Sequence, residues 1–292
     1  MTWLLIGFDS AWTAGNLGGL VGTLYREHHG YQDLGSPVPA NFIQADEQIR
    51  AWQTTHQPSK VILLIDQPTV VNDSQGQRPV ENLVSSPVSL RYGGMQPANT
   101  GRIGMFDADA PIWPFLARFG GPTNPLTATK NINIFETYPV LTIIALGWTL
   151  PDRRPTGRLP KYNPTRKMTF EQDDWQHLCN KLAKQFEKPG LERISEWIVS
   201  HTDAKPSKKD QDCLDACLCL LVAMQLAEGN TCLMVGQQES GAIVVPHSES
   251  LADELRTRCI QSGREPIEWI NNVSLGEKSN PRPDIVCPNN LN

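Results

Sequence analysis

The sequence predicts an α/β fold in which two fully apolar strands lie side by side and parallel. Three observations carry this. "WLLIGFD" (3–9) and "VILLID" (61–66) are apolar runs of the length and character of strands buried on both faces. Between them, "ADEQIRAWQTTH" (45–56) sets Ile49 and Trp52 at helical spacing among polar residues. A helix crossing between two buried strands is the mark of parallel pairing, which brings both carboxyl ends to the same edge of the sheet. Both runs end in an acid, Asp9 and Asp66, so the two carboxylates are predicted to be neighbours.

The other elements follow in order. Residues 3–38 read as a three-stranded meander, with "GGLVGTLYRE" (18–27) and a turn at Gly30. Pro68 stops the second buried strand at once. Residues 67–130 are rich in Pro, Gly, Asn and Ser and read as a long loop insertion over a site. "NINIFETYP" (131–139) alternates as a strand does and carries Glu136 near its end, before the apolar "VLTIIALGW". A basic connector (151–168) leads to helices at 171–186 and 190–200 and to a long helix reaching about Ala227, with Gly229 as its stop. A strand at 241–246 and a helix at 251–262 complete a single domain over 1–270, and 271–292 reads as a flexible tail.

Composition narrows the function classes. The chain has 292 residues, long enough for one large α/β domain or two small ones, and its 39% hydrophobic and 20% charged content is ordinary for a globular protein. A net charge of −5 argues against coating nucleic acid by bulk attraction and leaves room for a local basic groove. Seven cysteines show no CxxC spacing, and Cys213, Cys217 and Cys219 sit in an apolar helical stretch. They read as reduced core residues, which predicts a cytoplasmic setting. The first apolar run stops at Asp9 without a basic leader, so it is not a signal peptide. The longest apolar stretch, 213–227, is too short for a bilayer, so no membrane association is expected. Neither a Walker loop, a GxGxxG turn before a helix nor a GxSxG elbow is present.

The helix "SKKDQDCLDACLCLLVAMQLA" (207–227) holds three acids. Ser207 and Asp210 fit a capping box, which explains Asp210. Asp212 and Asp215 lie beyond the first turn, share a face at i, i+3 spacing, and lead into the apolar stripe Leu218, Cys219, Val222 and Leu226. Carboxylates on three separated segments remain ionised together only when cations neutralise them, and hard oxygen donors select Mg²⁺ or Mn²⁺. The chemistry that uses such a cluster is hydrolysis at phosphorus with two metals. Asp9, Asp66, Asp212 and Asp215 are therefore the candidate metal ligands. Glu136 either joins the cluster or pairs with a nearby basic residue.

Candidate substrate contacts are basic. Arg78, in "RPVEN", is either a phosphate contact or half of an i, i+3 ion pair with Glu81. Residues 152–167 carry six Lys or Arg, among them Arg153 and Arg154, against one acid, which suits a nucleic-acid groove or a solvated loop. Lys208 and Lys209 precede Asp212 by one turn and either meet phosphate or face water.

"IGFDSAW", "LLIDQP", "RPVE", "FETYP" and "DQDCLDACLCLLVA", in that order from residue 3 to 246, resemble an uncharacterised ribonuclease-H-like family of predicted nucleases. The resemblance implies a mixed five-stranded sheet with helices on both faces, Asp9 bridging two metals and Asp66 as the fourth-strand ligand. The Asp212–Asp215 pair is similar to the D-x-x-D of Holliday-junction resolvases, without the His that many relatives carry near Asp212. The reading is a Mg²⁺- or Mn²⁺-dependent nuclease acting on DNA or RNA, its oligomeric state unspecified. The alternatives are a non-catalytic module of the same fold and an actin-like phosphotransferase. The latter expects a glycine- and threonine-rich loop after the first acid, where this chain has "SAWT".

Overall fold

The computed structural model describes residues 1–276 apart from Ala11 and Thr129. β1 (Thr2–Asp9), β2 (Gly18–Arg26), β3 (Gly30–Asp33) and β4 (Val38–Ala40) precede α1 (Phe42–His56) and β5 (Lys60–Ile65). Then come α2 (Pro79–Leu90), α3 (Ile112–Arg118), β6 (Ile132–Glu136), α4 (Pro139–Ala145), α5 (Gln172–Phe186), α6 (Glu192–Thr202) and the long α7 (Lys208–Ala227). β7 (Cys232–Gln237), β8 (Gly241–Pro246), α8 (Glu249–Gln261), α9 (Pro266–Trp269) and β9 (Ile270–Val273) follow.

The architecture is mixed α/β, built on one nine-stranded sheet in the order β3-β2-β1-β5-β6-β8-β7-β9, with β4 beside β2. The central strands β1, β5, β6 and β8 are parallel, and antiparallel strands flank them on both sides. The predicted parallel pairing of the two acid-tipped strands is present, with Leu4 opposite Val61 and Phe8 opposite Ile65.

Among the described residues nine strands replace the expected five. β4 and β9 have three and four residues, too few to show an alternation of their own, and exist by pairing with β2 and β7. Asn271 and Asn272, read as the start of a loose tail, are paired within β9. Residues 277–292, and Cys287 with them, lie outside the described residues. The stretch 67–130 is also more than a loop. α2 buries Val80, Leu83, Val84 and Val88 in the core on one face of the sheet, and α3 buries Ile112, Phe115 and Leu116 on the other. Pro79 at its start and Pro87 within it disguise α2 as a turn-rich segment.

Strand alternation assigns each side chain to a face. Leu4, Ile6 and Phe8 pack in the cluster with α1 and α3, whereas Trp3 and Leu5 pack in the cluster with α7. Asp9 continues the second set and so meets α7. That helix is buried almost all round, from Gln211 to Ala227 with Gln225 as the exception, and carries the predicted Ser207–Asp210 capping box. Among the described residues no helix is long and apolar enough to cross a membrane.

Two glycines let α7 lie directly on the strands. A Cβ at Gly7 would stand 2.0 Å from the Ala216 carbonyl oxygen and 2.4 Å from the Leu220 nitrogen. One at Gly19 would stand 2.2 Å from the Asp212 carbonyl oxygen. Backbone cannot yield as a side-chain tip does, so Gly7→Ala is expected to cost about 3 kcal/mol, the upper end for overpacking. A fall in the urea midpoint would register it. An unchanged midpoint would mean that α7 moves freely on the sheet.

Candidate functional site

The registers at the carboxyl edge of the sheet line up a row of residues. Phe8, Ile65 and Glu136 are neighbours across β1, β5 and β6. One residue further on each chain come Asp9, Asp66 and Thr137. Two hydrogen bonds extend the ladder to this row: Asp66 N–H donates to Phe8 O (2.9 Å) and Thr137 N–H to Ile65 O (3.0 Å). Gly19 lies opposite Asp9, and the α7 backbone sits over it at Asp212. Tertiary structure thus assembles Asp9, Asp66, Asp212 and Asp215 from three segments.

On the helix both carboxylates have donors within the chain. Lys208 Nζ donates to Asp212 Oδ1 (2.5 Å) and to Gln211 Oε1 (2.9 Å). Tyr162 Oη donates to Asp215 Oδ1 (2.9 Å), and Gln211 Nε2 to Asp215 Oδ2 (2.6 Å). Asp9, Asp212 and Asp215 are buried and Asp66 is partly exposed. Trp12 Nε1–H donates to the Asp66 carbonyl (3.0 Å) from a backbone in the left-handed region, φ 66°, a conformation a bulky residue holds only when its surroundings enforce it.

The electrostatics are those of crowded like charges. Burial first, then the charges of Asp66, Asp215 and Asp212, push the Asp9 carboxyl well above the usual range. Asp66 is raised by burial and then by Asp215, with smaller contributions from Glu136 and Asp212. Burial lifts Asp215 to about 6, against the opposing pull of Lys208 and the hydrogen bonds from Tyr162 and Gln211. Lys208 lowers all three, so it serves as the cluster's own counter-cation. The donors suit a hard divalent ion by chemistry, being all carboxylate oxygen. Their present conformation is not closed around one: among the described residues no three His, Cys, Asp or Glu side chains stand as a metal-binding group.

A cavity of about 380 Å³ opens beside the cluster. Asp66 and Asp215 line it, whereas Asp9 and Asp212 do not. Trp12, Tyr138 and Tyr162 supply aromatic wall, and the basic connector supplies Arg158, Lys161 and Arg166. Arg158 is tied to Asp174, while Lys161 and Arg166 are exposed.

For Glu136 and Arg78, whose sequence readings left two alternatives each, the structure forms the ion pairs. Glu136 is in register with Ile65, one residue before Asp66, and lines the same cavity as Asp66 and Asp215. Of its two alternatives it takes the ion pair, through Arg78 Nη2 (2.6 Å) and Nη1 (2.9 Å). Arg78 is buried and its donors are occupied by Glu136, Glu81 and the Val70 carbonyl, so it braces the fold at the cavity wall rather than reaching out to phosphate. Arg153 and Arg154 stand outside the cavity lining on Tyr92, Arg153 Nε donating to its hydroxyl (3.1 Å) and the Arg154 guanidinium 4.0 Å from its ring centre. Lys209 is exposed.

Sequence reasoning missed Thr137, Tyr162, Gln211 and Trp12. Glu136 and Thr137 both line the cavity, and it is the hydrogen bond from Thr137 N–H to Ile65 O, a tertiary contact, that aligns Thr137 with Asp66. Tyr162 reaches Asp215 from an irregular segment, and no local pattern announces it.

A family model described as "Protein of unknown function (DUF429)" matches residues 15–240, a span that takes in Asp66, Asp212 and Asp215 and begins after Asp9. No curated protein and no solved structure matches the chain.

Proposed function

The chain belongs to the DUF429 family of proteins of unknown function, and on that premise we propose that it is a metal-dependent nuclease of ribonuclease-H-like fold. The observation that carries the reading is the convergence of Asp9 and Asp66 at one sheet edge beneath Asp212 and Asp215 of α7, where the neighbouring carboxylates add to burial in raising Asp9 and Asp66. Mutual repulsion on that scale is retained in a fold when something binds there. Asp9, Asp66, Asp212 and Asp215 would hold Mg²⁺ or Mn²⁺, which supplies Lewis-acid activation of water and charge relief at a phosphodiester. Around them, Tyr162 and Gln211 orient Asp215, and Arg166 and Lys161 offer positive charge to a polyanion.

Calorimetry with Mn²⁺ on chelator-stripped protein tests this. Wild type is expected to bind, and Asp9→Asn to lose at least tenfold in affinity, about 1.4 kcal/mol. A folded wild type that takes up no Mn²⁺ at millimolar concentration would remove the nuclease reading. One observation favours a second reading, a non-catalytic module of the same fold: Asp212 and Asp215 already have donors inside the chain. On that reading Asp9→Asn leaves function intact.

A further inference from the structure

We propose that the cavity beside the carboxylates seats one nucleotide unit of a single strand, with Trp12 as its stacking surface and Thr137 as a polar contact, and that it excludes duplex. The proposal rests on the nuclease reading for the class of ligand and goes beyond it in naming strandedness and two residues.

Size comes first. About 380 Å³ is at the small end of ligand sites and far below what a duplex of stacked pairs requires. The acids that would meet a phosphate from this side, Asp66 and Asp215, line the cavity interior, and Asp215 is only 3% exposed. A phosphodiester held rigidly within a duplex cannot descend to them, whereas an unstacked nucleotide can. Second, the wall chemistry suits a base. Trp12 lines the cavity, packs edge-on against Phe106 at 5.4 Å between ring centres, and is pinned through its indole N–H to Asp66. Its left-handed backbone sets the ring beside the very residue whose carboxylate lines the interior. Aromatic faces of this kind accept any base.

Third, a polar group in the lining lacks a partner. Thr137 is 2% exposed, and its hydroxyl makes no hydrogen bond among the described residues. Buried hydroxyls are nearly always paired, and this one belongs to the Asp9–Asp66 row. A ligand phosphate or sugar oxygen would satisfy it. Finally, the charge is graded from carboxylates inside to Arg166 and Lys161 at the exposed rim, which suits a strand entering from the rim with one unit inside.

The test is fluorescence anisotropy of labelled eight-residue thymidine and uridine oligonucleotides, with Ca²⁺ in place of Mg²⁺, against the same strands paired to their complements. Single strands are expected to bind at least tenfold more tightly than duplexes. Trp12→Ala should weaken them at least fivefold, the lower end for a lost base–aromatic stack. Thr137→Val removes the unpaired hydroxyl at constant shape, so it should leave the urea midpoint unchanged or raised and still weaken binding severalfold. Arg166→Ala, at an exposed position, guards against misfolding of Trp12→Ala and should flatten the salt dependence. Equal affinity for duplex and single strand, or single-strand binding indifferent to both Trp12→Ala and Thr137→Val, overturns the proposal. Mn²⁺ uptake with duplex bound as well as single strand would sink the cavity assignment and keep the nuclease. Single-strand binding lost in Trp12→Ala, in a protein without Mn²⁺ uptake, would do the reverse.

Discussion

Arg78→Met is expected to destabilise the protein by about 3–5 kcal/mol, the cost of leaving buried charge without its partner. Arg78 is 1% exposed and holds two buried carboxylates at once. Its Nε donates to Glu81 Oε1 (2.8 Å), its Nη2 to Glu136 Oε1 (2.6 Å), and its Nη1 to Glu136 Oε2 (2.9 Å) and the Val70 carbonyl (3.1 Å). The acids are themselves tied to backbone, Glu81 by Ala98 N–H (3.0 Å) and Glu136 by Thr69 N–H (3.0 Å), so neither can swing out to water. Space is tight as well: a Cβ at Gly241 would stand 2.6 Å from Nη1. An i, i+3 ion pair of Arg78 and Glu81 on a short helix, as the sequence alone offers it, would be worth well under 1 kcal/mol. The difference between the two values is burial, which makes the urea midpoint of the single variant decisive. Adding Glu81→Gln and Glu136→Gln to Arg78→Met should recover part of the loss. A loss below 1 kcal/mol in the single variant would show that the triad is not a structural brace.

In chelator, stability should fall as pH rises from about 4 to 7, the reverse of a protein stabilised by paired carboxylates. Asp9, Asp66 and Asp215 all have folded values raised above the unfolded value of 3.8, Asp215 to about 6. Between those limits the folded state binds more protons than the unfolded state, so stability declines with pH. The contribution is fully present below about 3.8 and is lost as pH passes through the folded value, for Asp215 about 6. At 1.36 kcal/mol per unit, Asp215 alone corresponds to a loss on the order of 3 kcal/mol. Comparison with Asp9→Asn isolates the cluster from other titrating groups. The variant should be more stable than wild type at pH 7 and show a shallower decline, because one mutual repulsion is gone. Thermal midpoints from pH 4 to 8 measure both. A variant less stable than wild type throughout would mean that the Asp9 charge is stabilising in the folded state, and that the cluster is not a strained one.

The same contrast between local and assembled features runs through the whole molecule. An apolar run ending in an acid is visible in seven residues, so β1, β5 and their Asp9 and Asp66 tips were readable, as was a helix between them that makes their pairing parallel. A capping box four residues wide announces the start of α7 and separates Asp210, which caps, from Asp212 and Asp215, which do not. Short edge strands carried no such signal, and prolines hid α2. What only the tertiary structure decided is which partners each residue at a strand end takes. Glu136 and Thr137 differ by one position, and pairing with Ile65 sends the first to Arg78 and aligns the second with Asp66. Tyr162 finds Asp215 across 53 positions, and α7 can approach Asp9 only because Gly7 and Gly19 leave its backbone room. Periodicity and caps are set by residues adjacent in the chain, whereas strand register and helix approach are set by hydrogen bonds and contacts between residues far apart in it.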